Sequence, residues 1–244
     1  MISSIKPYAV TPFPEGVGSI GNAMYFVIVV GIGASLIYLL MRRKSLRLIN
    51  LLIGFAITAA ILMLAFIYLF TAMALLDLPY IEPTALALAV GITVLADVAI
   101  FRNHNKARNL TVLLLGGALG TFLGWSIFTL SAVLILSFLA VYDTFAVYRG
   151  PVGKIARSGL DQLRGLSFSF KDIQMGLGDL TFYSMLSGHM LLNFGYLPCA
   201  ASVVGILAGC LLSFKMLERK GMFPGLPFPV FLGLTAGFLT WLLS

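Results

Sequence analysis

Apolar runs nearly free of charge recur along this chain at a length that suits a single environment. They lie at residues 22–41, 48–76, 84–101, 173–194, 199–217 and 226–243, with a longer one at 110–147. A helix of about 20 apolar residues crosses the roughly 30 Å hydrocarbon core of a bilayer, and the 48–76 run is long enough to cross with tilt. The 110–147 run is too long for one crossing, and a break near Gly124 to Ser126 divides it into a short fourth span and a fifth. The pattern predicts an all-α polytopic membrane protein with eight spans, in one membrane domain covering 1–244. With 60% of residues apolar and 10% charged, no polar stretch is long enough for a second domain.

The cations check this count. Of 16 Lys and Arg residues, all but Lys6 fall in four clusters, after spans one, three, five and seven. One missed or extra crossing would destroy that alternation. The positive-inside bias puts the four clusters in the cytoplasm and both chain ends outside. Residues 1–21, which hold Pro7, Pro12 and Pro14, are expected to be an external segment, and 149–172 a cytoplasmic loop. The net charge of +7 is thereby explained without a nucleic-acid partner. The chain opens with no charged, apolar and cleavage-site succession, so no signal peptide is expected. Cys199 and Cys210 share one expected helix at a separation of roughly 16 Å, too far for a disulfide.

Two acids fall inside the apolar runs that flank this loop. Asp143 follows Tyr142 in span five, and Asp179 closes Gly176-Leu177-Gly178-Asp179 in span six. Acids at membrane depth are costly and are functional by default. Counting inward from Arg149 and Lys171 puts Asp143 roughly 9 Å and Asp179 roughly 12 Å from the cytoplasmic boundary. Carboxylates that meet at one depth share a proton. The ionised one acts as general base on a water, while the protonated one polarises a carbonyl or protonates a leaving amine. This chemistry needs no metal, and His104 and His189 lie too far apart to make a metal site. No cofactor is expected. Gly176 and Gly178 let another backbone approach the start of span six. Either an extended substrate strand or tight helix packing fits that opening. Pro224-Gly225-Leu226-Pro227, followed by Pro229, disfavours a regular helical turn at the same depth. Irregular backbone there lines a cavity or is buried in protein.

Tyr142-Asp143, Gly176-Leu177-Gly178-Asp179 and Pro224-Gly225-Leu226-Pro227 resemble, in this order, the YD, GxGD and PAL motifs of the presenilin and signal-peptide-peptidase family. These are intramembrane aspartyl proteases. The flanks Gly176 to Gly188 and Gly150-Pro151-Val152 are more similar to presenilin. The resemblance implies a presenilin-like helical bundle in which Asp143 and Asp179 are the catalytic pair. It also implies that Tyr142, Gly176, Leu177 and Gly178 shape the active site, and that Pro224, Gly225, Leu226 and Pro227 bind the substrate strand. The implied partners are the lipid bilayer and single-span helical substrates, unwound locally and cut within the membrane. Gly225 stands where the family motif has alanine, a small-for-small change. The family has nine spans, so its first is expected to be absent from this chain. The short loops resemble those of a microbial, archaeal homologue working without the accessory subunits of γ-secretase.

Paired acids in a bundle also suit an ion relay, so a proton or cation channel or transporter is the alternative. A third possibility is a protein of this fold that only binds transmembrane helices. The proline turn beside the acids favours the protease. Asp97 is expected to make a structural ion pair with Arg102 or to lie at the interface, and Asp161 and Asp172 to balance the basic loop. Tyr142 is expected to pack away from Asp143, against a neighbouring helix or the substrate path. Tyr183 lies one turn beyond Asp179 and is expected to bond within the site or to pack between helices. Gly116, Gly120 and Gly124, Gly205 and Gly209, and Gly233 and Gly237 have the spacing of close helix contacts in lipid.

Overall fold

The computed structural model describes residues 11–14, 16–43, 45–76, 80–101, 105–148, 167–170, 173–220 and 223–244. Among them are eight helices and one hairpin: α1 (Gly18–Arg42), α2 (Leu46–Leu75), α3 (Ile81–Phe101), α4 (Asn105–Ser126), α5 (Thr129–Tyr148), β1 (Ser167–Phe170), β2 (Ile173–Gly176), α6 (Leu177–Phe194), α7 (Tyr196–Lys220) and α8 (Pro227–Leu243). Most of the expected 149–172 loop, with Asp161 and Asp172, lies outside the described residues, as do Arg102 and His104. Helices α1 to α5 and α7 are long and apolar enough to cross a membrane. The other two are shorter, α6 with 18 residues and α8 with 17. That length still gives roughly 25 Å of helix. The chain is an all-α integral membrane protein, and the eight helices among its described residues are those the apolar runs predict.

Three expectations need correction. Span six does not begin as helix at Ile173. Ile173–Gly176 is a strand, antiparallel to Ser167–Phe170, with Phe168 opposite Met175 and Ser169 opposite Gln174. The alternating Ser-Phe-Ser-Phe of β1 suits a strand, and glycines at 176 and 178 weaken helix. The apolar run thus crosses a strand-to-helix boundary that hydropathy does not register. The turn expected over 195–198 shrinks to Gly195, whose φ of 98° reverses the chain in one residue. Helix α7 starts at once, with Pro198 in its first turn, where the missing N–H is harmless. At the other end of the chain α1 starts at Gly18, so the last residues of the expected external segment are helical.

Glycine contacts set the helix spacing around the acids. Helix α4 lies on α6 with Gly120 against the Thr181 carbonyl and Gly124 against that of Met185. Gly205 and Gly209 of α7 meet the α8 backbone at Leu232 and Pro229. Such contacts hold where packing rather than water exclusion joins helices. Between these pairs lies a core of Ile135, Leu136 and Leu139 from α5, Met185, Leu186 and Met190 from α6, and Val230 from α8. A second core uses an i, i+4 stripe of α2 (Ile49, Ile53, Ile57 and Ile61) with Ile100 and Leu115.

Two polar links complete the frame. Buried His189 of α6 places Nδ1 2.7 Å from the Gly124 carbonyl and Nε2 3.1 Å from Thr129 Oγ1, so it spans the break between α4 and α5. Asp97 accepts from the Thr58 hydroxyl at 3.0 and 2.9 Å, which ties α3 to α2. Asp97 is therefore bound to a neighbouring helix, while its expected partner Arg102 lies outside the described residues.

Candidate active site

Three chain segments bring the predicted residues together. Helix α5 carries Asp143 near its C-terminal end, five residues before the last, Tyr148. Helix α6 carries Asp179 in its first turn. Non-helical residues 223–226 link α7 to α8. The hydrogen-bond ladder does not continue through 224–227 because the two prolines lack N–H donors. Pro227 instead opens α8, where its fixed φ is preorganised for helix.

This turn faces both acids. The Leu226 N–H donates to Asp143 Oδ2 at 3.0 Å, and the Gly225 N–H addresses the same carboxylate. On the other side Gly225 abuts Asp179. A methyl group at 225 would stand 3.0 Å from Asp179 Oδ2 and 3.3 Å from Cγ and Oδ1. The two carboxylates thus flank one glycine and interact electrostatically.

Asp179 owes its position to the hairpin. Gly176 is the N-cap of α6 with extended backbone (φ −69°, ψ 146°). Asp179 is three residues on, where an acidic side chain can reach back to the N-cap N–H. Its carboxylate faces the Gly176 N–H in that manner. Exposed amides and the helix dipole also make a helix N-terminus attractive to a carboxylate. The strand therefore sets both where α6 begins and where its acid sits.

The other predicted residues are spread around this centre. Pro224 is buried and Leu226 is 6% exposed, against the main core. The Tyr142 hydroxyl lies against Gly31 of α1, 3.3 Å from where a methyl group there would be. Tyr142 thus packs between α5 and α1. Leu177 turns toward Gly116 of α4 and closes an apolar cavity of about 250 Å³ between α1, α2 and α4. Gly178 is exposed, and a methyl group there would stand 3.9 Å from the Phe182 ring. The close backbone expected at these glycines is found at Gly176, and it is the chain's own strand β1.

Sequence reasoning passed over one wall. A cavity of about 120 Å³ beside Asp179 is lined by Tyr183, Gly225 and Met175, and by Cys210, Ser213, Phe214 and Leu217 of α7. Positions 210, 213, 214 and 217 make one helix face by their spacing. That face follows directly on Gly205 and Gly209, whose close-packing spacing was legible.

Residues 11–161 match the family model of signal-peptide peptidase, presenilin aspartyl protease. That match includes Asp143 and stops short of Asp179. Presenilin-B of Dictyostelium discoideum is similar, with 31% identity over 128 residues, 48% of this chain and 26% of the relative. The match thus spans about a quarter of that curated relative's length. Two solved structures of a presenilin family intramembrane aspartate protease, in C222 and P2 space groups, share the fold with a TM-score of 0.66. The first is 22% identical and covers 96% of this chain and 88% of its own; the second is 21% identical and covers 100% and 89%. The shared architecture therefore extends over the second half of the chain, where Asp179 and the proline turn lie.

Proposed function

This chain belongs to the signal-peptide peptidase and presenilin family of aspartyl proteases, and from that premise we propose that it cuts single-span transmembrane helices within the bilayer with Asp143 and Asp179 as its catalytic pair. The observation that carries this reading is the turn held between the acids: Leu226 bonds Asp143 while Gly225 abuts Asp179.

The mechanism follows from two carboxyl groups and one shared proton. The ionised group takes a proton from a water as its oxygen attacks the scissile carbonyl carbon. The protonated group gives its proton to the carbonyl oxygen, so a neutral gem-diol forms. Collapse breaks the C–N bond. The amine leaves with the proton taken from water, the gem-diol returns another, and the pair is restored. Apolar surroundings exclude bulk water and strengthen these interactions.

The substrate is extended at the cut, because a helical peptide bond is shielded by its own hydrogen bonds. The hairpin ending at Gly176 and the non-helical backbone of 223–226 offer main-chain groups to such a strand. Arg and Lys clusters between spans orient the acids toward the cytoplasmic side. The chain acts without accessory subunits.

The test is cleavage of a model single-span substrate in liposomes. Asp143→Ala and Asp179→Ala are each expected to abolish it. Cleavage at the wild-type rate by either variant overturns the reading, and ion flux through peptide-free liposomes identifies the relay instead.

A further inference from the structure

The peptide group between Gly225 and Leu226 is held at both poles. Its carbonyl oxygen accepts from the Tyr183 hydroxyl at 2.8 Å, and its N–H donates to Asp143 Oδ2 at 3.0 Å. The two atoms belong to one rigid plane, so a rotation that breaks one bond also misdirects the other. Polarising the carbonyl further makes the N–H a better donor, since hydrogen bonds in series strengthen one another. Cys210 of α7 lines the same small cavity as Tyr183 and Gly225. Tyr183 thus rides on the helix of one acid and touches the other through the turn.

We infer that Tyr183 is a positioning residue, which grips the Gly225 carbonyl and thereby aims the Leu226 N–H at Asp143. Phenylalanine would fill the same volume and leave that carbonyl without its donor. The inference rests on the assignment of Asp143 to the catalytic pair, but the grip itself can be measured without catalysis.

The experiment uses the full chain in liposomes and the variant Tyr183→Phe. Hydrogen exchange over residues 223–228 reads the grip, and steady-state cleavage reads its consequence. Exchange at the turn is expected to rise about tenfold, the effect of one lost hydrogen bond to a partly buried group. Turnover is expected to fall about tenfold with KM within about twofold, since the bond serves the chemical step rather than uniform binding. Asp143→Ala, which acts at the other pole, is expected to raise exchange at the same residues and covers the case in which Tyr183→Phe fails to fold. A phenol that only fills space leaves exchange and turnover unaltered in Tyr183→Phe, and that result overturns the inference. A rise in KM at constant turnover also overturns it. If the wild type cleaves nothing, or if Asp143→Ala still cleaves, the protease reading fails while the exchange data still decide the grip.

Discussion

Asp143 accepts a 3.0 Å hydrogen bond from the backbone of Leu226, 83 residues further along the chain. This contact joins an acid on α5 to the start of α8 and depends on no side chain at 226. Leu226→Pro removes the donor, and the residue's φ of −76° suits proline. A hydrogen bond to a charged group contributes about 1.5–3 kcal/mol. Turnover is therefore expected to fall at least about tenfold, whereas Leu226→Met, which keeps the N–H, retains it. Equal kinetics for the two variants would show that the bond does not serve catalysis.

Gly225 is a second point of tight fit. A methyl group there stands 3.0 Å from Asp179 Oδ2, so the carboxylate must yield by a few tenths of an ångström. Gly225→Ala is expected to retain cleavage at a rate within about fivefold of wild type, as only a small repacking is required. Gly225→Val adds branches where the first carbon already touches and is expected to be inactive. Full activity in Gly225→Val would mean that Asp179 does not occupy this contact during turnover.

Gly120 sets the distance between α4 and α6. A methyl group at 120 collides with the Thr181 carbonyl and stands 2.6 Å from Ser184 Cβ. Gly120→Ala is expected to cost about 1–3 kcal/mol through overpacking and to displace Asp179 with its helix. Gly117→Ala, where an added methyl group meets no other element among the described residues within 4 Å, is the control. Thermal unfolding in detergent with parallel cleavage assays tests the pair, and equal midpoints would remove α4 as the rest for α6.

Asp97 is bound to Thr58 rather than to the acids. Asp97→Asn keeps an acceptor for that hydroxyl and is expected to cleave within about twofold of wild type. Asp97→Leu removes the acceptor and is expected to lower stability by about 1–2 kcal/mol. Loss of all cleavage in Asp97→Asn would make Asp97 part of the reaction.

Hydropathy and the spacing of cations made the eight helices legible, because lipid leaves a spanning segment little choice of structure. Depth counting from Arg149 and Lys171 brought Asp143 and Asp179 to one level, and the prolines marked the break before α8. The strand at Ile173–Gly176 was hidden, since Ile173 and Met175 read as the start of the apolar run that follows and its pairing depends on β1. The hydrogen bond from Tyr183 to Gly225 was only half visible: the turn spacing placed the tyrosine near Asp179, but the identity of its acceptor depends on how α7 returns the chain. The wall at Cys210 was readable as a helix face, yet nothing in its composition says which way that face turns.

The 83-residue reach from Asp143 to Leu226 and the 42-residue reach from Tyr183 to Gly225 have a consequence for biosynthesis. A ribosome delivers both acids to the translocon well before it makes the turn that holds them. Until the last helix docks the two acids have no common anchor, so the proposed pair is assembled only once α8 is in place.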